Sequence, residues 1–323
     1  MVTLFFGNRS YALLFLPVII GSFYFCNHLT NYHNLADGMN LGFWGTFEVS
    51  LSWLTDFAAL TLILINAILL NTLFNRNEFM EKNNFLASML YVVFMSFFPV
   101  FYHLDGLALA GTLLILSLIQ LFRLNQNEDG RRAVFNAALL FGTACTLSPI
   151  LLLGIPILFW VVWVIRPFVL RESLLLLAGL ATPLLYTLVY TYLFQIRMER
   201  SNFSSSSAEF VLLDMLVLGG GLLLIGLASV GGVMNKFRGS SIRLKKLFRM
   251  LGLFMWMFLA AGALEFLVFG KLAASSLLLV PLIFFLTYAF GERKPKGFPT
   301  FIFYLLFLFA VGKFFIPFDQ MAF

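Results

Sequence analysis

The sequence predicts an all-α fold: a polytopic bundle of about eleven transmembrane helices, forming a single integral membrane domain over residues 1–323. Three observations predict it. Hydrophobic residues make up 61% of the chain and charged residues 11%, against ~45–50% and ~25% in a typical soluble domain. Mean hydropathy is +0.95. Apolar runs of helical length follow one another almost without interruption, which no soluble core buries back to back. Basic residues are sorted between alternate loops, as the positive-inside rule asks of a multipass protein.

The spans fall at roughly 11–27, 55–73, 85–101, 107–122, 133–148, 150–165, 173–194, 210–234, 250–269, 272–290 and 298–316, read from apolar runs and their polar punctuation. The first run follows only Arg9 and lacks a small-residue cleavage site, so it reads as a retained helix. With the N-terminus in the cytoplasm, strict alternation leaves Arg197, Arg200, Lys271 and Lys313 as the external members of the 21 Lys and Arg. The C-terminus is then external. Omitting one span would scramble this sorting, so the charge pattern supports both count and orientation.

The stretch from Ala133 to Thr191 organises the chain. Its first two runs, Val134 to Leu147 and Ile150 to Ile165, meet at Ser148-Pro149. Each is shorter than the ~20 residues a straight crossing needs. Proline lacks an amide donor and disfavours helix at the residue before it. The expectation is a thin helical hairpin that reverses there, with its loose backbone covered by protein or lining a wet cavity. A longer helix follows the basic step Arg166 to Arg171.

The first external loop, His28 to Leu54, is the longest outside and contains no Lys or Arg. Phe43, Phe47, Leu51 and Leu54 recur at helical spacing beside Trp44 and Trp53, which predicts a helix lying in the outer interface, or else an extension of the second span. On the cytoplasmic side, Leu244, Leu247, Phe248 and Leu251 form one stripe, with Arg243, Lys245, Lys246 and Arg249 on the other side. Such a stretch anchors to an anionic lipid surface. The basic charge serves topology, which argues against nucleic acid as a partner. Gly219-Gly220-Gly221 and Gly231-Gly232 lie inside one apolar run and read as close helix contacts or a kink.

Cys26 and Cys145 form no metal spacing and read as two core thiols rather than a bridge. No G-x-x-x-x-G-K-[ST], G-x-G-x-x-G, H-E-x-x-H or G-x-S-x-G occurs, which removes the usual signatures of nucleotide hydrolysis, dinucleotide binding, zinc proteolysis and serine hydrolysis. Acids and histidines favour the external side: Asp37, Glu48, Asp105 and all three histidines, His28, His33 and His103. Asp56, Asp214 and Glu265 sit inside or at the edge of apolar runs. Ionisable groups there face a partner or a cavity, and the three together suggest a polar vestibule opening outward. Arg197 and Arg200, on a face poor in basic residues, are suited to a phosphate. His33 and Asp56 complete the candidate substrate-binding set.

The segments YVVFMSFFPVFYHLDGLALAGTLLILSLIQLFR, NAALLFGTACTLSPILLLGIPILFWVV and RESLLLLAGLATPLLY resemble the membrane module of GT-C-type glycosyltransferases. The shared rhythm is a span ending in proline, a short external turn, a polar turn, a glycine-containing hairpin and a long helix. The segments LNTLFNRNEFMEKNNFLASMLY, LNQNEDGRRAVFNA and VIRPFVLRESLLLL resemble a family of multipass inner-membrane proteins of Bacteroidota that has no established activity. The first resemblance implies a GT-C-like module over 1–195, followed by C-terminal helices over 196–323. It also implies transfer of a sugar from a polyprenyl-phosphate carrier at the external face of a bacterial inner membrane. An acid of the first external loop would act as base or metal ligand; Asp37 fits best and Glu48 second. No resident cofactor is implied, and a divalent metal stays open. The paired acids of that family's loop and its soluble external domain are missing here. A non-catalytic subunit contacting membrane partners is therefore the alternative, with a lipid or solute transporter behind it.

Overall fold

The computed structural model describes residues 1–7, 10–30, 32–33, 38–48, 52–124, 130–196, 211–291 and 297–315. Among them the chain is all-α apart from one small hairpin. The helices are α1 (Val2–Phe6), α2 (Phe15–Thr30), α3 (Ser52–Arg76), α4 (Leu86–Met95), α5 (Gly106–Leu124), α6 (Arg131–Leu147), α7 (Ile155–Ile165), α8 (Leu170–Leu193), α9 (Leu212–Gly239), α10 (Ile242–Phe269), α11 (Leu279–Leu286) and α12 (Gly297–Gly312). The strands β1 (Gly38–Asn40) and β2 (Thr46–Glu48) lie between α2 and α3. Each of the eleven apolar segments read from the sequence is occupied by helix. Among the described residues, seven helical stretches are long and apolar enough to cross a membrane. Leu86–Met95, Pro149–Ile165 and Gly297–Gly312 are apolar but shorter.

Local chemistry explains where the helices stop. Ser241 caps α10 by accepting a hydrogen bond from the Leu244 amide, and Gly270 ends that helix at φ +65°. A serine cap at the start and a left-handed glycine at the end are the usual punctuation of a helix. Leu244, Leu247, Phe248 and Leu251 are buried, so the apolar stripe expected here faces the bundle.

The break at Ser148-Pro149 occurs where proline demands it. Ser148 is extended (φ −137°, ψ 93°), Pro149–Gly154 forms a 3₁₀ turn, and α7 follows. A Cβ on Gly130, just before α6, would lie 2.9 Å from Arg166 Nη1, just after α7. The two helices therefore start and finish at the same end of the bundle, and the chain reverses at the break. A counterpart occurs in the second half, where a six-residue 3₁₀ turn, Ala273–Leu278, precedes α11. The sequence did not announce it, because no proline marks it. Both turns pack against α10.

Small residues bring helices close. Gly179 of α8 sits against α6, where a Cβ would lie 2.7 Å from the Phe135 carbonyl oxygen. Without a hydrophobic drive in lipid, such close backbone contact is how helices associate. Ser117 of α5 donates to the Ala137 carbonyl of α6 at 2.9 Å. In α9, Gly221 receives Leu306 of α12 and Gly232 receives the Tyr288 backbone, so close contact rather than a kink accounts for these two glycines.

One apolar core runs through the bundle. Toward one end it is aromatic: Phe79 packs its ring against Phe284 at 5.0 Å, Phe248 at 5.4 Å and Phe74 at 5.5 Å. Polar ties gather at the same end. Arg243 donates to Asn77, Lys246 to the Ile165 carbonyl, Arg166 pairs with Glu172, and the Tyr288 hydroxyl donates to the Phe79 carbonyl. The opposite end carries the hairpin.

That hairpin corrects one expectation. In the region read as an interfacial helix, Phe43 and Trp44 lie in a short 3₁₀ turn and Phe47 in β2, antiparallel to β1 with Gly38 opposite Glu48, Met39 opposite Phe47 and Asn40 opposite Thr46, while Trp53 and Leu54 belong to α3, the extension of the second span that was the alternative. Gly42 (φ +63°) and Gly45 (φ +91°) flank the connecting turn. Left-handed backbone at both ends of Gly42–Trp44 is incompatible with a continuing helix. The helical spacing of Phe43 and Phe47 was coincidental.

Candidate functional site: the hairpin end of the bundle

Two features meet at this end: a buried charge cluster and the hairpin surface. The cluster centres on Lys313, which follows α12. Its ammonium donates to Asp214 Oδ2 at 2.7 Å and to the Ser96 carbonyl at 3.0 Å, and lies 3.1 Å from His33 Nε2. Asp214 accepts a second hydrogen bond on Oδ1, from the Tyr32 hydroxyl at 3.0 Å. Lys313 and Asp214 are both 0% exposed. The rings of Tyr32, Phe97 and Phe314 stand 5.2–5.3 Å from the ammonium. An ion pair in such surroundings is tolerable only with close geometry and full hydrogen bonding. Helix ends help: Asp214 lies in the first turn of α9 and Lys313 just past the last turn of α12, where the helix dipoles favour each charge.

His33 is buried and stacks on Tyr102 with ring centres 5.0 Å apart. Its backbone amide donates to Asn27 Oδ1 at 2.9 Å. Burial first, and the adjacent Lys313 ammonium second, hold the imidazole well below its usual titration range. A neutral ring facing a lysine must accept on Nε2, which leaves the proton on Nδ1. That nitrogen has no hydrogen-bond partner among the described residues. Tyr102 donates from its hydroxyl to the Ser96 carbonyl at 2.8 Å, so one carbonyl serves both Tyr102 and Lys313. The cluster thereby joins the segment after α2, the turn after α4, the start of α9 and the end of α12.

The hairpin lies across the ends of α5, α6 and α8. A Cβ on Gly42 would stand 2.6 Å from the Leu147 carbonyl oxygen, and one on Gly106 would collide with the same oxygen. Trp44 donates from its indole nitrogen to Thr146 Oγ1 at 3.3 Å and packs against Tyr190 with ring centres 4.7 Å apart. Tyr190 in turn packs on Phe194. Gly45 is opposite Ile196, whose Cγ2 would lie 3.7 Å from a Cβ there. The first loop thus meets the segment that leads into Arg197.

The sequence-predicted site residues distribute as follows. Asp37, Arg197 and Arg200 lie outside the described residues. Glu48 occupies the last position of β2, opposite Gly38. His33 belongs to the buried cluster. Asp56 is half-buried and hydrogen-bonded to Tyr24, linking α3 to α2. Glu265, fully buried, accepts from the Ala274 amide at 2.6 Å and so caps the 3₁₀ turn that precedes α11. His103 pairs with buried Asp105 at 3.3 Å. Each of the three acids in apolar runs is bonded to a partner of its own: Asp56 to Tyr24, Asp214 to Lys313, and Glu265 to the Ala274 amide. A charge inside an apolar bundle is stable when paired, and these are.

Lys313 is the residue that sequence reading missed. Its signal was present: a lysine on a face poor in basic residues, at the end of an apolar run, matched to an acid at the same end of another. Cys145 is buried and Cys26 half-buried, and neither is in a disulfide. Among the described residues, no group of three His, Cys, Asp or Glu side chains comes together that could hold a metal ion. Comparison with known proteins finds no matching family model, no matching curated protein and no matching solved structure.

Proposed function

We propose that this chain is a GT-C-like protein of a bacterial inner membrane, which transfers a sugar from a polyprenyl-phosphate carrier at the hairpin end of the bundle, with that end external. The observation that carries the reading is the meeting of two loops. Gly45 against Ile196 and Trp44 against Tyr190 join the hairpin ending in Glu48 to the segment leading into Arg197. Sequence reading had assigned the proton acceptor to one of these loops and the phosphate ligands to the other. The basic ties at the opposite end, Arg243, Lys246 and Arg166, support a cytoplasmic location for that end.

In the proposed step, Asp37 takes the proton of an acceptor hydroxyl, with Glu48 as the second acid of the same loop. The acceptor oxygen attacks the anomeric carbon, and the bond from that carbon to the phosphate oxygen breaks. The polyprenyl phosphate leaves with the electron pair, and Arg197 and Arg200 stabilise its charge. Trp44, Tyr190 and Phe194 supply an apolar floor of aromatic rings. The buried cluster fixes Tyr32 and His33, which follow α2.

A second reading, a non-catalytic subunit, is favoured by the sealed state of that cluster. Lys313 and Asp214 are both wholly shielded and hydrogen-bonded within the chain. Mass spectrometry of lipids that co-purify with the protein separates the two. The transferase reading predicts a retained polyprenyl-phosphate sugar that is depleted in Arg197→Ala and Arg200→Ala. The subunit reading predicts none, with partner proteins retained instead.

A further inference from the structure

We propose that His33, Asp214 and Lys313 form a proton-operated latch at the hairpin end of the bundle: a proton taken up at His33 Nε2 draws Asp214 away from Lys313 and frees the end of α12 from the start of α9. The transfer chemistry proposed above makes no use of these groups, and the latch does not depend on it.

Geometry carries the inference. Asp214 Oδ2 stands between two bases, 2.7 Å from Lys313 Nζ and 3.8 Å from His33 Nε2. Among the described residues it is the one carboxylate that pairs with either of them. The latched state is fully matched. The three ammonium hydrogens of Lys313 meet Asp214 Oδ2, the Ser96 carbonyl and the lone pair of His33 Nε2. A neutral imidazole has one ring lone pair to offer, because its other nitrogen carries the hydrogen. A proton arriving at the ring must therefore take the lone pair that holds Lys313. The 3.1 Å contact then sets two donors against each other. One carboxylate is left facing two cations inside an apolar bundle, which is costly.

The surroundings decide which cation yields. His33 is pinned: its amide donates to Asn27 Oδ1 at 2.9 Å, and its ring stacks on Tyr102. Asp214 is pinned to the same segment, because Tyr32, the neighbour of His33, donates to its other oxygen at 3.0 Å. Lys313 reaches the cluster on a flexible four-carbon stem from just beyond α12. Once Asp214 turns to the imidazolium, Lys313 keeps only the Ser96 carbonyl, so α12 is the element released. The other titratable groups facing the ring are Tyr32 and Tyr102, with Cys26 of α2 close to Tyr102. Phenols and thiols ordinarily titrate above about pH 8, so above the carboxylate range the imidazole is the group that answers acid. Burial and Lys313 hold the latched imidazole well below its ordinary range, whereas the released imidazolium has a carboxylate to itself. The released state binds one proton more, and acid favours it by up to about tenfold per pH unit below about pH 6.5.

The test is hydrogen–deuterium exchange of the full-length protein in detergent at pH 7 and at pH 5. Each rate is compared with the intrinsic rate at the same pH, which gives a protection factor that reports local opening. The expected result is a fall of about tenfold or more in the protection of the last turn of α12 at the lower pH. Helices α5 and α6 should not change. The start of α9 should keep its protection, since Tyr32 and His33 still hold Asp214. His33→Gln should give the same α12 protection at both pH values, and His33→Asn serves the same purpose if that variant fails to fold. Three outcomes overturn the latch: equal protection of α12 at both pH values in the parent protein, a fall that persists in the His33 variants, or a fall matched in α5, α6 or the start of α9.

Discussion

Lys313 Nζ stands 2.7 Å from Asp214 Oδ2, with both side chains shut off from solvent, and the pair links the end of α12 to the start of α9. Removing one partner of such a pair strands the other charge in an apolar medium, at about 3–5 kcal/mol. Asp214→Asn and Lys313→Met should each lower the melting temperature in detergent sharply. The double variant Asp214→Leu/Lys313→Met should cost less than the sum of the two, because it leaves no orphaned charge. Additive losses would show that the pair does not act as a unit.

Acid should loosen the same cluster. Burial and Lys313 hold His33 below its ordinary range, so the folded chain keeps it neutral where the unfolded chain protonates it. In the window below about pH 6.5 the unfolded state binds more protons. This contribution to stability is therefore intact above that pH and declines as pH falls, by at most about 1.4 kcal/mol per unit. His33→Gln should flatten the decline relative to the parent protein in melting curves between pH 7.5 and 5. Parallel curves would remove His33 as the source.

The hairpin should be sensitive at its glycines. Gly42→Ala forces a side chain onto φ +63° and against the Leu147 carbonyl, at about 1–3 kcal/mol. Gly219→Ala in α9 meets nothing within 4 Å and should stabilise by about 0.5–1 kcal/mol through helix propensity. Thermal unfolding of the two variants checks both signs, and equal effects would contradict the docking of the hairpin.

Much of this fold was legible in the sequence because its determinants are local. Apolar runs of helical length became helices, and Pro149 broke the chain where a missing amide requires it. What escaped was long-range. Phe43 and Phe47 have helical spacing, yet Gly42 and Gly45 adopt left-handed backbone and Trp44 is held by Thr146 and Tyr190, about a hundred residues or more away in the chain. The Lys313–Asp214 pair is equally non-local: periodicity marks each residue as out of place without naming its partner. The turn Ala273–Leu278 is capped by the side chain of Glu265 rather than by a local signal such as proline.

Orientation has its own test. In cells with a permeabilised outer barrier, a cysteine at Ser205 should react with a membrane-impermeant thiol reagent, and one at Ser241 should not. The expectation follows from the basic residues gathered near Ser241, at the end opposite the hairpin. The reverse labelling pattern would invert the bundle and move the proposed chemistry to the cytoplasm.

The most direct measurement is turnover. The purified protein is reconstituted with a polyprenyl-phosphate-linked sugar and membrane extract as acceptor, and released polyprenyl phosphate is quantified by mass spectrometry. The account predicts release by the parent protein and a loss of about 10²–10⁴-fold in Asp37→Asn, at unchanged abundance and melting temperature, with a smaller loss in Glu48→Gln. Release that is undiminished in Asp37→Asn, or no release from the parent protein with any polyprenyl-phosphate sugar supplied, would contradict it.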